Sequence, residues 1–192
     1  MVRFERQPPG TAITRATLAT GGIAAGLGAW AVIAREPVAG AVFAAGSGVM
    51  LLVGGHRANH GAGGPTDRML DELLDRVWDG AILGSIAWVT RLDEPATAVA
   101  ALVALSLSAL SSYVRARGAS LAYSVEESHV TRGFRYGLVV AGLAWGWLSW
   151  TLWVVAVISA MAVLVRTLQV AREERGTQPS AAGSARRPED DA

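Results

Sequence analysis

The apolar residues of this chain fall into six blocks that are separated by short polar segments. The blocks cover residues 17–34, 38–54, 68–89, 96–114, 136–148 and 150–168. Most of them approach the roughly 20 apolar residues that a helix needs to cross the hydrocarbon core of a bilayer. The pattern predicts an all-α, polytopic membrane protein of six transmembrane helices, with one membrane domain over residues 1–170.

The segments between the blocks have the composition of turns and loops. Residues 55–65 are rich in Gly and predict a loop, after which Thr66 or Asp67 is the predicted N-cap of the third helix. Residues 171–192 are polar, with mixed charge, and predict a disordered cytoplasmic tail. The predicted loop before the fifth helix contains Glu126, Glu127, His129, Arg132 and Arg135.

The positions of the basic residues predict the orientation in the membrane. All 17 basic residues are arginine, and only Arg35 and Arg91 fall in loops on the side opposite the N-terminus. Because basic residues next to membrane spans favour the cytoplasmic side, both termini are predicted to be cytoplasmic. The tryptophans of residues 145–150 fit a membrane interface, and we expect a multi-pass protein of the cell membrane.

Composition narrows the classes of function. The chain of 192 residues is 52% hydrophobic and only 17% charged, which is too apolar for an ordinary soluble domain. It has no cysteine, so disulfides, a thiol nucleophile and a thiolate metal site are excluded. Membrane lipid is the expected partner, and no nucleic acid is expected.

The third apolar block is unusual because acidic residues recur along it. Asp71, Asp75 and Asp79 are spaced four residues apart, which places them on one face of a helix over about 12 Å, and Asp67 extends the row by one turn. We call these four residues the aspartate ladder. An aspartate at the centre of a membrane helix costs about 2.5–3.5 kcal/mol, so the ladder needs compensating partners.

The residues alone leave two interpretations of the ladder open. It is either the wet cytoplasmic end of a helix, with solvated or paired charges, or part of a polar cavity in which carboxylates hold a hard cation such as Mg²⁺. In the second case nearby polar groups would bind phosphate or a nucleotide. The candidates for that role are Arg57, Arg76, Asp79, Arg115, Arg117, Arg132 and Arg135.

Three segments resemble a known family. Residues 70–79, LDELLDRVWD, resemble the second half of the CDP-alcohol phosphatidyltransferase signature, D-x-x-D-G-x-x-A-R, a spacer, then G-x-x-x-D-x-x-x-D. Residues 112–117 resemble the end of that family's fourth helix, and residues 132–135 its following paired arginines. The resemblance implies a six-helix bundle that binds Mg²⁺ or Mn²⁺ and transfers a phosphatidyl group from a CDP-linked lipid to an alcohol, releasing CMP. It implies that Asp71 and Asp75 are metal ligands and that Asp75 is the catalytic base.

The chain departs from the signature in its first half. Val49 and Leu52 stand where the first two aspartates are expected, and no acidic residue occurs between Glu36 and Asp67. Apolar side chains cannot coordinate Mg²⁺, so half of the usual ligands are missing. Asp67 replaces the second glycine of the signature and, with His56 and His60, is a candidate for a rebuilt metal site.

The sequence therefore predicts a membrane protein of phospholipid biosynthesis with an incomplete metal site and impaired or absent transfer activity. It would bind a CDP-linked lipid or an anionic head group, as a homodimer or as the partner of an active relative. The first alternative is an active transferase. The second is a small transporter or structural membrane protein, because aspartates within a membrane also mark ion pathways.

Overall fold

The described part of the chain folds into six α-helices. The computed structural model describes residues 9–60, 63–120 and 129–177, and these residues contain no strand. Glu126, Glu127 and residues 178–192 of the predicted tail lie outside the described residues. The all-helical class is confirmed. The helices are α1 (Pro9–Ile33), α2 (Pro37–Asn59), α3 (Pro65–Thr90), α4 (Pro95–Ser120), α5 (His129–Trp145) and α6 (Leu148–Thr177).

Four of these helices, α1, α2, α4 and α6, are long and apolar enough to cross a membrane. The other two differ from them in charge or in length. Helix α3 carries its charged residues between Asp67 and Asp79, and α5 has 17 residues, which corresponds to about 26 Å. The four apolar helices indicate a membrane protein. That all six helices cross the membrane stays a prediction.

Neighbouring helices close into a ring. Helix α2 packs on α3, α3 on α4, α4 on α6, α6 on α5 and α5 again on α2, while α1 covers α2 and α3. Glycines allow the close approach of α1 and α2, since Gly54 lies against Leu18 and Gly21 against Leu51. The ring brings one face of α3 opposite one face of α5.

Trp78 of α3 lies fully buried among these helices. Its indole Nε1–H donates a hydrogen bond of 2.8 Å to Ser47 Oγ of α2. Its ring also packs against Tyr136 of α5, with 4.1 Å between the ring centroids. Trp78 thus ties three helices together directly beside the aspartate ladder.

The start of α3 differs from the prediction. Gly64 is the N-cap residue and Pro65 the first helical residue, so the predicted N-cap at Thr66 or Asp67 is wrong. Proline suits the first position because its fixed φ is helical and the missing N–H has no intrahelical partner there. The Asp67 carboxylate instead accepts a hydrogen bond of 2.8 Å from the Gly64 N–H.

Several helix boundaries differ from the predicted ones, and α2 continues to Asn59, into the predicted Gly-rich loop. Helix α5 begins at His129 rather than at Tyr136, so Arg132 and Arg135, predicted to lie in a loop, are helical. Helix α6 continues to Thr177, past Leu168, where the sixth apolar block ends. The turn between α5 and α6 is where the tryptophan segment predicts it, with Gly146 at a φ of 75° that favours glycine.

Candidate functional site

The aspartate ladder is buried inside the protein. Asp67, Asp71, Asp75 and Asp79 are each at most 1% exposed. Their spacing of four residues puts them on one face of α3, and that face points into the helix ring. Because an isolated carboxylate is very costly to bury, each of these residues needs a cationic or hydrogen-bonding partner within the fold.

Asp67 is paired with an arginine of the first helix. Arg15 Nε lies 2.6 Å from Asp67 Oδ1, and the second carboxylate oxygen accepts the bond from the Gly64 backbone. Arg15 is itself partly exposed. This pair closes the end of the ladder nearest the loop between α2 and α3 and connects α1 to the start of α3.

Asp71 is paired with an arginine of the fifth helix. Arg132 Nη1 donates to both oxygens of the Asp71 carboxylate, at 3.1 Å each, and both side chains are buried. On the opposite side, α2 approaches Asp71 at Gly55. A Cβ atom at position 55 would lie 2.5 Å from Asp71 Oδ1, so only glycine fits there without a shift of its neighbours.

Asp75 has the largest number of partners in the ladder. Arg135 Nη2 lies 3.2 Å from its Oδ1 atom, and Arg132 Nε lies 3.6 Å from the same atom. The Tyr136 hydroxyl donates a hydrogen bond to Oδ1, and Arg76 forms an ion pair with Oδ2. Both oxygens of Asp75, the residue expected to act as a base, are therefore engaged by donors.

Asp79 is held from three helices. Arg76 Nη1 lies 3.0 Å and Arg135 Nη2 lies 3.1 Å from its carboxylate oxygens, and Ser108 of α4 donates a hydrogen bond of 2.5 Å from its hydroxyl. The Ser108 hydroxyl oxygen also accepts hydrogen bonds from Arg76 and Arg135, at 2.6 and 2.9 Å. Ser108 thus joins both arginines to Asp79.

The charges of this site balance without any added ion. We define the ion-pair cluster by its six charged residues, in which three carboxylates face three guanidinium groups. Such a set is neutral, and a divalent cation added to it would leave an excess of two positive charges in a poorly hydrated space. The members of the cluster are Asp71, Asp75 and Asp79 with Arg76, Arg132 and Arg135.

The geometry does not fit a divalent metal. Among the described residues no group of three or more His, Cys, Asp or Glu side chains is placed to hold a metal ion. The oxygens of Asp71 and Asp75 that would serve as ligands are engaged by arginines and by Tyr136. Helix α2, which faces Asp71 with Gly55, supplies no carboxylate.

The two positions matched to the missing motif aspartates, Val49 and Leu52, differ in how far their side chains are buried. Val49 is 61% exposed on the outside of α2. Leu52 is half-buried and lies near Gly133 of α5. The α2 positions in closest approach to the site are instead Gly48, beside Tyr136, and Gly55, beside Asp71. With either set of positions, α2 contributes no acid.

The remaining predicted residues lie outside the ion-pair cluster. Arg57 and Arg117 are exposed, and Arg115 lies 3.4 Å from the exposed carboxylate of Glu72. His56 and His60 stack on each other at the exposed end of α2, with 4.3 Å between their ring centroids. Asp67 is engaged by Arg15 and Gly64, and the structure does not bring it together with the two histidines as a metal site.

A second polar region adjoins the cluster between α4, α5 and α6. Arg166 of α6 is buried and donates to the Ser111 carbonyl at 3.1 Å and to the Ser111 hydroxyl. A cavity of about 20 Å³ lies here, with Arg132, Arg135 and Ser159 in its wall. This volume is sufficient for one water molecule.

Sequence reasoning missed several residues of the site. Arg15 is a single charge near the start of an apolar helix, and nothing in the sequence pattern links it to Asp67. Ser108 lies in an apolar stretch with nothing to distinguish it from neighbouring serines. A signal for Tyr136 existed, because Arg132, Arg135 and Tyr136 are spaced to share one helix face.

Comparison with known proteins identifies relatives in phospholipid synthesis. A phosphatidylinositol phosphate synthase of Mycolicibacterium smegmatis is 29% identical over 150 residues, which are 72% of this chain and 68% of the relative. A protein of the same name from Corynebacterium glutamicum is 38% identical over 86 residues, covering 43% of this chain but only 39% of the relative. No family model matches the chain.

A solved structure shares the fold. The crystal structure of phosphatidylinositol phosphate synthase from Mycobacterium tuberculosis, in its apo form, matches with a TM-score of 0.69 at 24% identity. The match covers 84% of this chain and 95% of that structure. This match shows that the chain shares the fold, and the names of the two sequence relatives agree with the resemblance that residues 70–79 indicate.

Proposed function

We propose that this chain is a membrane protein of phospholipid synthesis, similar to the CDP-alcohol phosphatidyltransferases, whose own metal-dependent transfer activity is impaired or absent. The observation that carries the proposal is the ion-pair cluster. The carboxylates that would hold metal and activate the acceptor alcohol, Asp71 and Asp75, are bound by arginines from within the chain. A base must be free to accept a proton, and a metal ligand must have a free lone pair.

The missing half of the signature supports the same proposal. The chain has no acidic residue from position 37 to position 66, so α2 carries no carboxylate to complete a metal site with Asp71. Oxygen ligands are what Mg²⁺ and Mn²⁺ require, and a catalytic site for phosphoryl chemistry uses the cation to stabilise developing charge. Without it the transfer step loses its main electrostatic stabilisation.

The proposal retains a role in binding. Arg57 and Arg117 are exposed and remain available to an anionic head group or to the phosphates of a CDP-linked lipid. The names of the two sequence relatives point to phosphatidylinositol phosphate as the kind of lipid concerned. We propose that the chain acts through such binding, as a homodimer or as the partner of a relative with a complete site.

A CMP-release assay tests this proposal. The purified chain is incubated with a CDP-linked diacylglycerol, several acceptor alcohols including inositol phosphate, and Mg²⁺ or Mn²⁺. The Mycolicibacterium smegmatis relative serves as a positive control. We expect no release of CMP above that of the Asp75→Asn variant. Metal-dependent release that is abolished by Asp75→Asn would instead establish the active transferase.

A further inference from the structure

The space between α3 and α5 is spanned by side chains alone. In the described part of the chain, no Cα atom of α5 lies within 8 Å of a Cα atom of α3, although both helices belong to the same ring. Arg132, Arg135 and Tyr136 reach across this space from α5 to the ladder. The contents of the space are therefore set by these three side chains.

Two of those side chains supply the charge of one divalent cation. Arg132 and Arg135 together contribute two positive charges and contact both oxygens of Asp71, both oxygens of Asp75 and Oδ1 of Asp79. The one carboxylate oxygen of this set that they do not reach, Oδ2 of Asp79, is engaged by Arg76 and Ser108. The two guanidinium groups thus contact all three carboxylates and supply positive charge that these carboxylates need.

The opposite side of the ladder is closed by backbone. Gly55 brings α2 so near Asp71 that even a methyl group at position 55 would meet the carboxylate. Backbone thus closes the α2 side of Asp71, and the Arg132 guanidinium occupies the α5 side. The position and the charge of the Arg132 guanidinium both indicate that α5 supplies the counter-ion of Asp71.

We infer that Arg132 and Arg135 are the permanent counter-cations of the ladder and replace a divalent ion in this chain. The inference rests on the proposed function and extends it. The site has not merely lost ligands; covalently attached cations face its three carboxylates and hold α5 against α3. Removal of one guanidinium group should leave a net negative charge and carboxylate oxygens without a cationic partner, to which an added dication can bind.

Thermal unfolding of the purified chain in detergent, with and without Mn²⁺, tests the inference. The test variant is Arg132→Gln, which keeps a polar side chain of similar length but removes the charge. We expect the unfolding temperature to fall in Mn²⁺-free buffer and to rise again by about 5–10 °C in saturating Mn²⁺. The wild-type chain should respond to Mn²⁺ by less than the error of the measurement.

Two controls make the result specific. The double variant Asp71→Asn, Arg132→Gln restores neutrality, so it should unfold at a higher temperature than Arg132→Gln and show no response to Mn²⁺. Arg35→Gln removes an arginine whose ion pair with Asp93 is exposed on both sides, and should change neither the unfolding temperature nor the response. If Arg132→Gln does not fold without Mn²⁺, recovery of folding by Mn²⁺ or by Asp71→Asn supports the inference, and failure of both overturns it.

The outcomes separate the two proposals. A folded Arg132→Gln variant that is as stable as wild type, or that ignores Mn²⁺, overturns the counter-cation role and leaves the lack of transfer activity standing. Stabilisation of the wild-type chain by Mn²⁺, together with metal-dependent release of CMP, would overturn the proposed function itself. Arg135→Gln, which removes the contacts with Asp75 and Asp79, should also lower the unfolding temperature, and Mn²⁺ should raise it again.

Discussion

Asp71 and Arg132 illustrate the energetics at the scale of the residue. Both are buried, and the loss of one member of a buried ion pair leaves an uncompensated charge that costs about 3–5 kcal/mol. Replacing both members with neutral groups costs far less, because desolvation of the two ions offsets much of their attraction. Such a pair therefore defines where α5 lies relative to α3 more than it adds to the free energy of unfolding.

Gly55 provides a test of the close approach of α2 to the ladder. Gly55→Ala places a methyl group 2.5 Å from Asp71 Oδ1, so α2 or the carboxylate must move. We expect a loss of about 1–3 kcal/mol in the free energy of unfolding. Gly46→Ala on the same helix meets no atom within 4 Å and serves as the matched control, with no expected loss. Equal stability of the two variants in thermal unfolding would contradict this geometry.

Sequence and structure agree on the ladder and differ on its partners. The spacing of Asp71, Asp75 and Asp79 was sufficient to predict one acidic face and its need for compensation. The identity of the compensating groups depends on which helix lies opposite that face, and this is set by tertiary packing. Arg15 and Arg132, at sequence separations of 52 and 61 from their carboxylates, could not be assigned from local pattern.

Helix α5 begins earlier than the apolar pattern predicts because its first turns carry buried charges that are compensated by α3. Its apolar pattern begins only at Tyr136, which is why the sequence predicts a loop before it, but the helix extends back to His129. Arg132 and Arg135 can be helical and buried because carboxylates of α3 compensate their charges. A hydropathy pattern assigns arginines to solvent-exposed segments. It therefore misses the first turns of α5, whose arginines are compensated by carboxylates far away in the sequence.

The orientation of the elements in the membrane can be measured with single cysteines, because the chain has none of its own. Arg117→Cys lies exposed near the end of α4, and Leu92→Cys lies in the exposed turn between α3 and α4. If the arginine distribution sets the orientation, a membrane-impermeant maleimide added outside intact cells should label position 92 and not position 117. The unsubstituted chain is the background control, and the reverse labelling would refute cytoplasmic termini.

At the scale of the whole molecule, the fold of a phosphatidylinositol phosphate synthase is combined with an interior that is neutral by its own side chains. The family layout could be inferred from residues 70–79 and the six apolar blocks, since these are local features. The pairing of the carboxylates could not be inferred from the sequence, because it depends on how α2, α3, α4 and α5 pack around one row of carboxylates.

The most direct test of this account is the binding of Mn²⁺ to the purified wild-type chain, followed by electron paramagnetic resonance. A neutral ion-pair cluster has no net negative charge and no unpaired carboxylate with which to bind the ion. We therefore predict the spectrum of free Mn²⁺ at millimolar concentrations of the metal. The Asp71→Asn variant should give the same spectrum. Stoichiometric binding by the wild-type chain that Asp71→Asn abolishes would contradict the account.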